Sequence, residues 1–198
     1  MTTTTRTYVK VRRAEAETRT RTALLDAAEA VFFETAWHDV SLDAIAARAG
    51  VTKPTLLRHF GSKDGLLEQA ARRGFERVRA QRMAAPAGDI GGAVDNLLDH
   101  YGQEGERALR VGAGASGLLA DIGRDARRLH YDWVEHAFGP WLAELPTAER
   151  ARVRAALIAL CDVQTWAILA RDLTLPRREV RATLVTAVER LLKEDRDA

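Results

Sequence analysis

The sequence predicts an all-α chain in two parts, a three-helix head of helix-turn-helix type followed by a larger helical bundle. Three observations carry this. Strand-like alternation of apolar and polar residues is absent along the 198 residues. Apolar residues recur instead at i, i+3, i+4 and i+7, the spacing of one buried helix face. Gly and Pro then cut the pattern into segments of helical length.

The first segment, residues 1–17, is polar and basic, with Arg6, Lys10, Arg12 and Arg13, and reads as a flexible arm. A helix is expected from about Thr18 to Thr35, with Leu24, Ala27, Ala28, Val31 and Phe32 as its inward stripe. Trp37 and Val40 lead to Ser41, an N-cap residue. Ile45, Ala46 and Ala49 then line a short helix, and Gly50 permits a sharp left-handed turn. Val51 is expected to anchor that turn in the core. Thr52 is expected to cap the next helix with its side-chain oxygen, and Pro54 sits in its first turn, where a missing N–H costs nothing. Leu56 and Phe60 face inward, which leaves Lys53, Thr55, Arg58 and His59 outward. Ser62 caps a fourth helix, with Asp64 favoured in its first turn.

Pro86, Gly88, Gly91 and Gly92 make the segment MAAPAGDIGG the expected boundary, giving a head over 18–82 and a body over 83–198. In the body, helices are expected near 89–104, 118–137, 147–171 and 177–193. Breaks fall at Gly112–Gly117, Gly139-Pro140 and Leu175-Pro176.

Bulk properties narrow the class of protein. Hydrophobic residues make up 46% of the chain, enough for a sizeable core. No apolar run approaches the roughly 20 residues of a membrane span, and MTTTTRTYVKVRR lacks the apolar stretch of a secretory signal. The single cysteine, Cys161, excludes an intramolecular disulfide and sits in the apolar run AALIALCDV as a buried thiol. A cytoplasmic protein is expected. Net charge is only +2, but residues 1–80 carry 14 Lys/Arg against 10 Asp/Glu, and residues 81–198 carry 16 against 18. A basic front on a slightly acidic back fits a head that meets nucleic acid.

The stretch SLDAIAARAGVTKPTLLRHFGSK, Ser41–Lys63, has the grammar of a DNA-reading helix-turn-helix. The plainer reading is an ordinary helical hairpin with a charged face. Residues 19–67, above all SLDAIAARAGVTKPTL and HFGSKDGLL, resemble the TetR family of bacterial transcriptional regulators. The resemblance implies a three-helix DNA-binding head, and a helical body that holds a small-molecule pocket and a dimer interface. It implies that the helix Lys53–Phe60 enters the major groove, with Thr52, Lys53, Thr55 and His59 at the DNA. Ser41 and Lys63 would hold the backbone from flanking helix starts. Pro54, Leu57 and Arg58 complete the expected contact set. Leu57 and Arg58 stand where the family commonly has Tyr. Leu57 could touch a thymine methyl, and Arg58 could read guanine through its fork. Ala36 replaces the usual Gly at the end of the first helix. Arg12 and Arg13 could enter a minor groove, or belong to a solvated tail.

For the body, Tyr101, Trp133 and Trp166 are the aromatic candidates for contact with a small apolar or aromatic effector, with His130 and Gln164 as orienting polar groups. Each aromatic is equally at home in plain core. The Gly112–Gly117 segment could link to the pocket mouth. The resemblance further implies release from a palindromic operator when the effector binds. Leu157, Leu160, Val163 and Ile168 on one helix, and Val180, Leu184, Val188 and Leu191 on the last, are expected to build a four-helix homodimer interface, or to close the chain's own core. An enzyme is the rival class, and an effector-free architectural DNA binder another. Asp132 and His136 have the i, i+4 spacing of a metal pair but read better as a surface ion pair. No nucleophile elbow or phosphate loop is present, and no metal, cofactor or catalytic residue is expected.

Overall fold

A computed structural model describes the backbone of residues 3–34, 40–112 and 117–194, and the side chains of residues 11–31, 40–109 and 120–193. Every regular element among the described residues is helical: α1 (Thr3–Glu34), α2 (Leu42–Arg48), α3 (Lys53–Phe60), α4 (Lys63–Met83), α5 (Ile90–Gly112), α6 (Gly117–Leu142), α7 (Thr147–Leu160), α8 (Val163–Ala167), a π-helical turn (Ile168–Asp172) and α9 (Arg177–Glu194). The chain divides into two compact units, residues 1–74 and 75–198.

In the first unit α2 packs on α1, and α3 on α2. The expected stripe of α1 is inward, with Leu24, Ala27, Ala28 and Val31 buried. Ile45, Ala46, Leu56 and Phe60 meet them from the next two helices. The turn between α2 and α3 depends on Gly50, at φ +69°. Its left-handed backbone lets the Val51 N–H reach back to the Ala46 carbonyl at 2.9 Å. Gly61, at φ +76°, ends α3 in the same way, with its N–H on the Leu57 carbonyl at 2.7 Å. The Ser62 hydroxyl accepts the Gly65 N–H at 3.0 Å and caps α4. Polar ties bind α1 to α4: Arg73 pairs with Asp26 at 2.7 Å, and Arg21 donates to Gln69 while its guanidinium lies 4.8 Å over the Phe60 ring.

In the second unit α5 is central, packed against α6, α8 and α9, while α7 packs on α6 and α9. The core contains Val94, Leu97, Leu98, Tyr101, Trp133, Phe138, Val153, Leu157, Leu184 and Val188. Two surface pairs tie α9 to α5, Arg181 on Asp95 with both carboxylate oxygens and Arg177 on Asp99 at 2.7 Å.

The structure departs from the sequence expectations at several points. The helix expected from Thr18 begins at Thr3, because residues 3–17 contain no Gly or Pro and several strong helix formers. Arg12 and Arg13 lie exposed on that helix. Ala36, Trp37 and residues 113–116 lie outside the described residues, as do the side chains of Arg6, Lys10 and Phe32. The units divide at Gly74–Phe75, within α4, rather than at the Pro/Gly-rich segment after it. That segment is sewn to α6: the Gly88 N–H bonds the Ala137 carbonyl at 2.8 Å, the Trp141 indole donates to the Gly88 carbonyl at 3.0 Å, and His136 bonds the Ala85 carbonyl at 2.8 Å. His136 is therefore committed to backbone and forms no pair with the exposed Asp132. Pro140 does not end α6 but lies inside it, two residues before its last residue, Leu142. The single helix expected over 147–171 breaks at Cys161–Asp162, where the Asp162 carboxylate accepts the Gln164 N–H at 2.8 Å and starts α8.

A Cβ on Gly65 would stand 2.5 Å from the Phe60 carbonyl oxygen, a backbone atom that cannot step aside. Gly65→Ala should destabilise the first unit by about 1–3 kcal/mol. Gly102, in the middle of α5 with open space around its Cα, should give the opposite sign, with Gly102→Ala gaining about 0.5–1 kcal/mol. Urea melts of both variants check the contrast.

Candidate nucleic-acid interface

A helix of eight residues presents its outward side chains only as firmly as its inward ones hold it. Leu56 and Phe60 are buried at 0% and 7% exposure and fix the roll of α3. Lys53, Pro54 and Arg58 are consequently exposed, while Thr55, Leu57 and His59 are half-buried at the edges of the same face. Ser41 holds the start of α2, its hydroxyl accepting the Ala44 N–H at 3.5 Å. Lys63 is half-buried in the first turn of α4.

Two local expectations are corrected. Thr52 stands at the N-cap of α3 in extended conformation but makes no side-chain cap bond; its hydroxyl pairs with that of Thr55 at 3.1 Å. A threonine hydroxyl turned to a neighbouring hydroxyl is lost to the backbone N–H it would have capped. Val51 is half-buried rather than a core anchor, and the turn is held by its N–H instead. The expected set also lacked Asp43. Its carboxylate accepts from the Lys53 ammonium at 2.9 Å and neutralises a cation expected to face phosphate. The Asp in SLDA was visible as a first-turn acid of α2, but not its reach to a residue ten positions later.

In the second unit, four of the five expected effector residues come together. Tyr101, His130 and Trp133 are buried, and half-buried Trp166 lies 5.7 Å from the Tyr101 ring. His130 stacks on Trp133 at 6.2 Å. Trp166 occupies the space a side chain on Gly105 would need, since a Cβ there would lie 2.5 Å from its ring. The Tyr101 hydroxyl donates to the Cys161 carbonyl at 2.9 Å. Gln164 is not part of the cluster; it is exposed in the first turn of α8.

The residue sequence reasoning missed is Arg82, the centre of the group. It is 2% exposed, with its guanidinium carbon 4.1 Å from the Trp133 ring and 5.7 Å from the Tyr101 ring. One of its nitrogens reaches His130 Nδ1 at 3.2 Å, and His130 Nε2 reaches the Ile158 carbonyl at 2.9 Å. Only a neutral imidazole with its proton on Nε2 can serve both, donating to the carbonyl and accepting from the guanidinium. Burial lowers the pKa of Arg82 and of His130. Burial first, and then the Arg82 charge, push His100 down to about 3. Burial also pushes the Cys161 thiol up to about 12. Arg82 sits four residues after Val78 on the apolar stripe of α4, and that register was the signal available in the sequence.

Residues 24–70, the helices just described, match the family model for bacterial regulatory proteins of the tetR family. Over those residues the chain is similar to tetR-family regulators. Among curated relatives, the transcriptional activator FasR of Mycolicibacterium smegmatis is 51% identical over 43 residues, 22% of this chain and 20% of FasR. The transcriptional regulator UidR of Escherichia coli is 33% identical over 104 residues, 50% of this chain and 52% of UidR. The matches thus span a fifth to about half of the length of these relatives. Solved structures share the fold over most of the chain. A tetR-family regulator from Streptomyces coelicolor superposes with a TM-score of 0.66 at 24% identity, covering 87% of this chain and 79% of that one. The TetR-like regulator LfrR of Mycobacterium smegmatis, solved with proflavine, gives 0.54 at 24% identity over 86% and 95%.

Half-buried His100 and buried His130 set a pH dependence. Their folded pKa values lie below the ordinary 6.5, so the folded body binds fewer protons than the unfolded chain. Stability present above about pH 6.5 should fall progressively as pH drops toward about 3. Thermal melts from pH 7.5 to 4 should show a declining midpoint, and His100→Gln should flatten the decline.

Proposed function

We propose that this protein is a sequence-specific, DNA-binding transcriptional regulator that acts in the cytoplasm as a homodimer and leaves a palindromic operator when a small molecule occupies its body. The observation that carries the reading is the face of α3, where Leu56 and Phe60 are turned in and Lys53, Pro54 and Arg58 are turned out. An exposed, basic, eight-residue helix preceded by a glycine turn fits a major groove, and its neighbours Ser41 and Lys63 suit phosphate contacts from the starts of α2 and α4. In this reading Arg58 reads guanine, Leu57 meets a thymine methyl, and Thr52, Thr55 and His59 border the backbone. Repression fits the family, while the match to an activator, FasR, concerns the head alone.

Support for a homodimer lies in only half of the set the sequence suggested. Leu157, Val180, Leu184 and Val188 are buried in the chain's own core and are not available to a partner. Ile168 and Leu173, at 52% and 57% exposure, are large apolar side chains left outside it by the π-helical turn and its end. We assign the pairing surface to that region, continued by half-buried Leu160, Val163 and Leu191.

The aromatic cluster around Tyr101, His130, Trp133 and Trp166 supports an effector site in the body, and LfrR was solved with a planar aromatic molecule, proflavine. Catalysis has no place in this reading, which uses the chain as a binding protein throughout.

Selection of duplexes from a random pool at near-physiological salt tests the reading. An enriched palindrome is expected, and absence of any sequence preference overturns it. Arg58→Ala should lose base discrimination worth about 1–3 kcal/mol at one position. Lys63→Ala should weaken binding evenly and shallow the salt slope by about one unit. Asp43→Asn frees the Lys53 ammonium and removes an anion from the DNA side, so affinity should rise about two- to fivefold, the worth of one surface pair. Fluorescence anisotropy across a salt series measures all three.

A further inference from the structure

Among the described residues Arg82 is a buried cation without a counter-ion. Among the described residues Asp95 pairs with Arg181, Asp99 with Arg177 and Glu104 with Arg107, Asp162 caps the start of α8, and Asp132 on α6 is exposed. The groups that do face the guanidinium are Trp133, Tyr101 and His130. Ring faces attract a cation, but they leave its N–H edges unsatisfied. Arg82 Nη1 is buried with no hydrogen-bond partner, and so is the indole N–H of Trp133. Buried donors without acceptors are rare in folded proteins, and buried charges are ordinarily paired. The two donors lie on side chains in contact, the guanidinium over the indole ring.

We infer that Arg82 and Trp133 form an anion-recognition site within the body, taking the carboxylate of a small organic acid whose aromatic or apolar part lies among Tyr101, Trp133 and Trp166. The inference rests on the reading of the body as an effector site and names the chemistry of the effector. A carboxylate offers acceptors only, one oxygen for Nη1–H and one for the indole N–H. A neutral amide would turn an NH2 toward a donor. A doubly charged phosphate asks for a second cation, and the only other basic groups here are the neutral imidazoles of His100 and His130. The walls are rings, which suit an apolar body on the ligand.

Benzoate and benzamide are the probes, matched in shape and differing in charge, applied at millimolar concentration to the full chain at pH 7. Tryptophan fluorescence gives the Kd and a thermal melt gives the stabilisation. Benzoate is expected to bind at least tenfold more tightly than benzamide. In Arg82→Met the two should differ by less than twofold, with an unliganded melting temperature equal to or above that of the wild type, because an unpaired buried charge has been removed. Trp133→Phe keeps the ring, drops the N–H, and should weaken benzoate three- to tenfold. Equal response to both probes in the wild type, no response to either, or a benzoate preference that survives in Arg82→Met would overturn the inference. Should Arg82→Met not fold, the wild-type probe ratio and Trp133→Phe still decide. Operator binding, followed in parallel, separates the two claims. A benzoate preference with DNA affinity unmoved leaves the anion site standing and sinks the effector reading. An operator released by neutral ligands alone does the reverse.

Discussion

A helix of eight residues does not hold together in water. The cost of nucleating its first turn is not recovered over so short a length. For α3 the recovery comes from outside, through Leu56 and Phe60 in the core of the first unit and glycines at both ends. Everything outward on α3 inherits its direction from those anchors. The same region is crowded, for Gly65 lets the start of α4 pass against the Phe60 carbonyl, and Arg21 covers the Phe60 ring from α1. Recognition chemistry here sits on an element whose rigidity is borrowed from its neighbours.

The second unit solves a different problem. Its core is broad and aromatic, and at its centre the packing accepts a guanidinium. Hydrophobic residues of similar volume would have given a more stable body at this place. Retention of a charge among rings makes sense if the charge has work that stability does not measure. The histidines nearby are held neutral by burial first, and the charge adds to it, because a second positive group beside Arg82 would be repelled.

The head was legible because its signals are local. Ser41, Gly50, Pro54, Ser62 and the spacing of Leu56 to Phe60 each act within a few residues, and helix ends are decided at that range. The errors in the head share a cause. Thr52 had a choice of partners, and Asp43 reached across ten positions to Lys53. In the body, helix order was readable from Gly and Pro, yet Pro140 was absorbed into α6 and an unmarked break opened at Cys161–Asp162. The gathering of Tyr101, His130, Trp133 and Trp166 was foreseen only as a set of separate candidates. Arg82 was hidden because a lone arginine in an arginine-rich helix reads as solvated, and only the register of Val78 spoke against that. Which apolar faces of α7 and α9 remain for a partner could not be read at all, since one stripe serves a core or an interface equally well.

Cys161 is the chain's one thiol, wholly buried beneath the Tyr101 hydroxyl bond and held in its protonated form far above neutral pH. Alkylating reagents and oxidants react with the thiolate, and they need access to it. In the folded body Cys161 offers neither. Its rate of labelling therefore becomes a clock for excursions in which α5 and the end of α7 come apart, readable without any engineered probe. A ligand that closes this body would slow that clock, and one that loosens it would make it run faster.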